Sequence, residues 1–384
     1  MPLIYLIAGE QSGDQLGSRL MRAILRRRPD ATFTGIGGAA MAEAGCASLF
    51  PMSDLSLMGF LEVLPKLRQL KRRIRQTAAD IAAQTPDVVV TIDSPGFTLR
   101  VLRAIAPLRI PRAHYVAPQV WAWREGRVKH YPGLWENLLC LLPFEPAFFA
   151  RHNLPATFVG HPVLESGYDT GDAERFRSRY NLRPDDRILI VMPGSRRGEI
   201  KRLLPILQAT LERMREPVVP VIPLAGPVAA AVIEATAAWQ PRPILIAETE
   251  DKQDAFAAAS AALTKSGTST LELALAGVPM VVTYRANPIT IWIAWRLTLV
   301  KYASLLNLLS GREIVPELLQ GDATPEKLSA ALEKVLTPEG GAAQRMAFAA
   351  PLAMLRAPLG VPSDAAAAAV LDLIEQSARH HPGA

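Results

Sequence analysis

The chain has 384 residues, 49% apolar and 20% charged, with a formal net charge of +6. That length exceeds the range in which one hydrophobic core keeps growing, so two domains are expected, and the composition excludes a disordered or collagen-like chain. Two cysteines, Cys46 and Cys140, are too few for a disulfide framework, and no zinc-finger, basic-zipper or aromatic RNP pattern accompanies the cations, so nucleic acid is not an expected partner.

The first apolar run, Leu3–Ala8, begins without the charged n-region and long h-region of a secretory signal, which points to the cytoplasm. Short β-branched runs then alternate with helix-length segments, the pattern of a parallel sheet covered by helices. Strands are expected at Leu3–Ala8, Thr32–Ile36, Val88–Ile92, 112–116, 138–141 and 157–159, with a helix over 15–27. After a polar stretch, 167–183, the pattern restarts with strands at Ile188–Met192, 218–224, Ile244–Ile246, 261–263 and 280–283, and helices over 200–214 and 271–276. The fold class is therefore α/β, with two doubly wound Rossmann-like domains facing an interdomain cleft. The expected division is 1–167, 168–350 and a helical tail 351–384; the return of that tail to the first domain rests on analogy with two-lobed folds. The most apolar window, 289–309, is broken by Arg296 and Lys301 and falls short of the roughly 20 apolar residues of a spanning helix. Trp292 and Trp295 beside those cations fit an interfacial stretch or a buried hinge helix.

Several turns between strand and helix can carry chemistry. Strand Ile188–Met192 runs into Pro193, Gly194, Ser195, Arg196, Arg197, Gly198 and Glu199. A glycine turn entering a helix offers free N–H groups and the positive dipole end to a phosphate, and Arg196 adds a bidentate cation. An ordinary serine-capped turn is the plainer account. A second such turn holds Lys265, Ser266, Gly267, Thr268, Ser269 and Thr270. It is followed by Glu272, whose carboxylate suits two ribose hydroxyls or simply the helix dipole. Two such turns at the carboxyl ends of parallel strands suit a diphosphate at a switch point. In the first half, Gly9, Glu10, Gln11, Ser12, Gly13 and Asp14 form a third turn, fitted to a hydroxyl-rich or phosphorylated acceptor or to plain helix capping. Asp93 ends the apolar run Val88–Ile92, where partial desolvation raises a carboxylate's pKa and improves it as a general base; capping the next helix is the competing role. His114, His130, His152 and His161 lack metal-ligand spacing and no D-x-D pair occurs, so neither a metal nor another cofactor is expected.

Residues 55–73 combine Leu57, Met58, Phe60, Leu61, Val63, Leu64 and Leu67 with Lys66, Arg68, Lys71 and Arg72. Core packing is the default cover for such apolar side chains. The adjoining cations favour contact with acyl chains and an anionic phospholipid surface.

In their order, these motifs resemble the lipid-A-disaccharide synthase family, GT-B glycosyltransferases of Gram-negative bacteria. The resemblance spans residues 5 to about 320. It is carried by the stretches 8–14, 58–64, 92–95, 114–124, 142–145, 160–162, 193–196, 266–272 and 307–313. It implies an inverting transfer from UDP-2,3-diacylglucosamine to 2,3-diacylglucosamine 1-phosphate (lipid X), with release of UDP, in lipid A biosynthesis. It also implies peripheral attachment to the cytoplasmic face of the inner membrane. By position, Asp93 matches the family's candidate base, Arg196 its diphosphate-binding arginine and Glu272 its ribose contact, while Asn307 and Arg312 fall in a motif facing the cleft. One departure is visible: after Pro95 stand Gly96, Phe97 and Thr98 where the family has Asp-Phe-Asn, which leaves Asp93 as the carboxylate there. Three rival readings are a UDP-sugar epimerase of the same fold, a non-catalytic lipid-binding protein and a dinucleotide oxidoreductase. The last rests on Gly35, Gly37, Gly38 and Ala40 with Asp54 downstream. The sequence leaves homodimer formation open.

Overall fold

A computed structural model describes residues 1–55, 63–286 and 299–380. The chain divides into two compact units, Met1–Pro162 with Leu355–Ala384, and Val163–Met354.

The first unit is built on a parallel sheet of β1 (Leu3–Ala8), β2 (Thr32–Ile36), β3 (Ala47–Ser48), β4 (Val88–Ile92), β5 (Arg112–Tyr115), β6 (Asn137–Cys140) and β7 (Ala156–Phe158), in the order β3-β2-β1-β4-β5-β6-β7. Helices cover both faces, so the central strands read as continuous apolar runs without alternation; all five residues of β4 are buried. Helix α1 (Gln11–Arg27) buries Leu16, Leu20, Met21, Ala23 and Ile24, the stripe that 3.6-residue periodicity places on one face. The C-terminal helix, Pro362–His380, packs on α1 and adds Ala366, Ala367, Val370 and Leu373 to the same core. Helices α2 (Ala39–Glu43), α3 (Val63–Gln84), α4 (Pro95–Ile105) and α5 (Glu145–Ala150) complete this unit's principal helices.

The second unit repeats the design. Helix α6 (Ala173–Arg179) leads to β8 (Ile188–Met192), α7 (Arg197–Leu211), β9 (Val219–Pro223), α8 (Ala229–Thr236), β10 (Ile244–Ile246), α9 (Thr249–Ala258), β11 (Ala261–Lys265), α10 (Ser269–Leu275), β12 (Met280–Tyr284) and β13 (Glu317–Leu319). The sheet order is β10-β9-β8-β11-β12-β13, again parallel. In each sheet the strand order reverses beside the first strand, between β1 and β4 and between β8 and β11. In doubly wound sheets the loops that leave the carboxyl ends of the strands at such a reversal are the usual place for a ligand.

Two differences from the sequence expectation have a local cause. Helices α1 and α7 begin at Gln11 and Arg197, four and three residues before the apolar periodicity starts, because their first turns are polar and glycine-containing. The short strands β3 and β13 lie at sheet edges and carry too few residues for a period-2 signal.

Gly35 lies inside β2 at φ +139°, and a Cβ there would stand 1.9 Å from the Leu6 carbonyl oxygen of β1. Gly35→Ala is expected to cost at least about 3 kcal/mol of unfolding free energy, from strain combined with overpacking. Urea denaturation with an unchanged midpoint would contradict this.

Candidate functional site

In the first unit the loop after β1 and the loop after β4 meet at the switch point. A Cβ on Gly9 would lie 2.5 Å from Ser94 Oγ, so the two loops are in direct contact. Asp93 and Ser94 both take positive φ, 49° and 46°. Such backbone is unfavourable for non-glycine residues and persists only where neighbours over-determine it. The neighbours are on hand: Asp93 N–H donates to the Tyr115 carbonyl at 2.8 Å, and the buried Thr98 hydroxyl reaches the carbonyls of Asp93 at 2.7 Å and Ser94 at 3.0 Å. Thr98, a departure from the family pattern, thus braces the loop. Burial pushes the Asp93 carboxyl above its ordinary value, opposed by a hydrogen bond from the Ser94 backbone.

The residues of the first loop divide into two groups. Glu10 and Ser12 are exposed and Gly13 is buried in the first turn of α1. Asp14 is 4% exposed, and its carboxylate accepts from the N–H groups of Gly38 at 2.8 Å, Ala40 at 3.0 Å and Met41 at 3.0 Å. That carboxylate caps α2 from a neighbouring helix. Three backbone donors engage its oxygens, which gives Asp14 a structural role in holding α2. The same arrangement removes the dinucleotide-like string: Gly35 is inside a strand, the following helix has five residues, and Asp54 is ion-paired to Arg73.

Two more motif stretches meet through Glu145. It is buried and accepts from Trp121 Nε1 at 2.9 Å, Leu141 N–H at 3.0 Å and Leu142 N–H at 2.9 Å. Burial nevertheless dominates and lifts its carboxyl to about 7. His114 and His161 are also buried, which holds them neutral by lowering their pKa to about 3 and about 4.

In the second unit the turns after β8 and β11 flank the other switch point. Ser195 and Arg196 are exposed, with Gly194 at φ +111°. Helix α7 has no side-chain cap at Arg196. In the second turn, the Ser266 hydroxyl donates to Ala303 O at 2.7 Å and the buried Thr270 hydroxyl to Gly267 O at 2.8 Å, leaving the Thr268 side chain exposed. Glu272 is held by Lys252, whose Nζ lies 2.8 Å from both Glu272 Oε2 and the Tyr168 hydroxyl. Arg312 is exposed, whereas Asn307 is fully buried. The Asn307 amide donates to Val315 O and Glu317 Oε1 and accepts from Ile314 and Val315 N–H. All four of its hydrogen bonds stay within this segment, so Asn307 shapes the loop bearing Arg312 and presents no free group of its own.

Sequence reasoning placed Glu199 and Lys265 in the two turns without giving either a role, and it missed Lys252 and Tyr168. For Glu199 the available signal was a buried acid four residues past Ser195, at a position facing the core. Of the apolar and basic set, Leu57, Met58, Phe60 and Leu61 lie outside the described residues, as do Trp292, Trp295 and Arg296. Val63, Leu64, Lys66 and Leu67 fall in α3, where Arg68, Lys71 and Arg72 are exposed. With Arg75 these cations follow i, i+3, i+4, i+7 spacing and share one helix face. Among the described residues, no helix is long and apolar enough to cross a membrane, and no group of three His, Cys, Asp or Glu has metal-holding geometry.

A family model described as lipid-A-disaccharide synthetase matches residues 4–351. The chain belongs to the lipid-A-disaccharide synthase family. Its relatives include the lipid-A-disaccharide synthase of Granulibacter bethesdensis, 54% identical over 390 residues and covering 98% of this chain and 99% of that one. The Gluconobacter oxydans synthase is 53% identical over 378 residues, covering 97% and 91%. Among solved structures, S. aureus MnaA with UDP aligns with a TM-score of 0.63 at 15% identity over 92% of each chain. The calicheamicin glycosyltransferase CalG4 aligns at 0.61 and 16%, covering 98% of this chain and 99% of the other. At such identities these neighbours establish the GT-B fold alone. Family membership makes the chain a glycosyltransferase of lipid A biosynthesis, and it favours transfer over the epimerase and oxidoreductase readings.

Asp14→Ala strands three backbone donors at the start of α2. It is expected to lower stability by about 2–3 kcal/mol, because hydrogen bonds to charged groups are the strong class. A thermal melt matching that of the unaltered protein would show that the cap is dispensable.

Proposed function

We propose that the enzyme joins UDP-2,3-diacylglucosamine and lipid X through a β-1′,6 link and releases UDP, with the second unit holding the donor and the first supplying the base. The observation that carries this reading is Asp93: a partly desolvated carboxylate on a strained loop at the switch point of its sheet, within the motif 92–95. Strain kept at a switch-point loop is a functional signature, since nothing in folding alone rewards it.

In the proposed step Asp93 takes the proton from the acceptor 6-hydroxyl as that oxygen attacks the anomeric carbon, with inversion, and UDP departs from the opposite face. Glu10, Ser12 and Gly13 stand on the loop touching Asp93's own, which suits them to the acceptor. On the donor side, the exposed N–H groups at the start of α7, Arg196, Gly194 and Ser195 meet the diphosphate. The turn of Ser266, Gly267, Thr268 and Thr270 faces it, with Glu272 toward the ribose and Arg312 as a second cation. Developing charge on the leaving diphosphate is stabilised by dipoles already oriented before the reaction, which is why such turns lower a barrier rather than merely bind. The exposed stripe of Arg68, Lys71, Arg72 and Arg75 supports peripheral contact with an anionic phospholipid surface at the cytoplasmic face of the inner membrane.

Incubation with both substrates should release UDP and give a product of disaccharide mass by mass spectrometry. Asp93→Asn is expected to lower kcat about 10²- to 10⁴-fold while leaving UDP binding intact. A base must be ionised to act, so kcat/KM should rise with pH through the elevated Asp93 pKa, and that acidic limb should vanish in the variant. Near-normal turnover by Asp93→Asn would refute the assignment. Replacing Arg68, Lys71 and Arg72 by serine should weaken sedimentation with anionic vesicles by about 100-fold, at ~1 kcal/mol per cation. Sedimentation equal to that of the unaltered protein would remove the basic stripe from membrane contact.

A further inference from the structure

The second unit contains an ion pair between a buried carboxylate and a half-buried lysine where its two turns approach each other, and neither partner has been given a role above. Glu199 is 5% exposed, in the first turn of α7. Its Oε2 accepts from Ser195 N–H at 3.3 Å, and a Cβ on Gly194 would come within 2.4 Å of the same oxygen. Glycine at 194 is thus required twice over, by its positive φ and by the carboxylate lying against it. The other oxygen, Oε1, is 3.2 Å from Lys265 Nζ and 4.0 Å from Arg196 Nη1.

Lys265 is the last residue of β11, the strand beside β8 across the switch point. Its Nζ stands 3.7 Å from the position a Cβ would take on Gly267 and 5.9 Å from the centre of the Tyr284 ring. The ammonium therefore sits between the turn after β8 and the turn after β11. An ammonium carries three donors, and Glu199 is the acceptor found for this one among the described residues.

A buried carboxylate without a partner is strongly destabilising, so Glu199 fixes where Lys265 can rest. It also ties that cation to the Ser195 backbone, and so to the turn bearing Arg196. We propose that Lys265 is a further contact for the donor diphosphate, and that Glu199 is its positioning residue, holding the cation aimed at the space both turns face. The inference rests on the donor reading of this unit. It adds a cation from the second turn to the arginine of the first, so that a nucleoside diphosphate is met from both sides of the switch point.

The test uses the full chain and calorimetric titration with UDP, with uridine followed by ligand-detected NMR. Because Lys265→Met alone would bury an unpaired carboxylate, the informative protein is Glu199→Gln/Lys265→Met, in which both charges are gone. That protein is expected to bind UDP about 10- to 100-fold more weakly than the unaltered one, the range for a lost charged hydrogen bond. Uridine, which has no phosphate, should bind both alike. Glu199→Gln alone should lose less than the double variant, since Lys265 keeps its charge and loses only its positioning partner. Equal UDP affinity in the double variant, or a parallel fall for uridine, would overturn the inference while leaving the donor reading in place. Failure of the unaltered chain to bind UDP would instead overturn the donor reading itself.

Discussion

The reversal of strand order beside the first strand of each sheet is the constraint on which the chemistry depends. Parallel strands deliver every carboxyl end to one edge, but most successive loops there turn to the same face and pack on one another. The order reverses between β1 and β4, and between β8 and β11, the places where doubly wound sheets gather their ligand-binding loops. Glu10 and Asp93 leave one of these pairs of strands, and Arg196 and Lys265 leave the other. The positions owe nothing to local propensity. They follow from where the hydrogen-bonded ladder changes direction.

Around these openings, acidic side chains serve mostly as internal anchors. Asp14 caps α2, Glu145 gathers two backbone amides and an indole, and Glu199 holds a lysine and a turn. A buried carboxylate is tolerable when donors surround it, and each such cluster then locks loops that apolar contact alone would leave free to slide. Asp93 differs in kind. Its carboxyl is desolvated with a backbone donor beside it, and its own backbone is strained. That contrast between satisfied carboxylates and a poised one distinguishes the proposed base from its neighbours.

Much of the architecture was legible from apolar periodicity. Strands buried on both faces must be continuous and apolar, so β1, β4 and β8 emerge from the chain with their observed limits, and β2 and β10 do so from short β-branched runs between turns. The beginnings of α1 and α7 were not legible. Polar first turns carry no periodic signal, and their capping is supplied from other parts of the chain or by exposure to water. Edge strands β3 and β13 were hidden for a related reason, being held by a neighbour's ladder more than by their own side chains.

The same division runs through the proposed functional residues. Asp93, Arg196 and the glycine turns are proposed from residue type beside a strand end, which is a local property the sequence carries. The sequence by itself also determined the family, since long strings recur in order across nearly the whole chain. Only tertiary structure decided that Asp14 is engaged by backbone groups and Asn307 by backbone groups and Glu317, that Thr98 braces the Asp93 loop, and that Lys265 meets Glu199 from an adjacent strand. A carboxylate's availability depends on which donors reach it through space. Gly38 lies 24 positions from Asp14, and Lys265 lies 66 from Glu199, separations that no local pattern encodes.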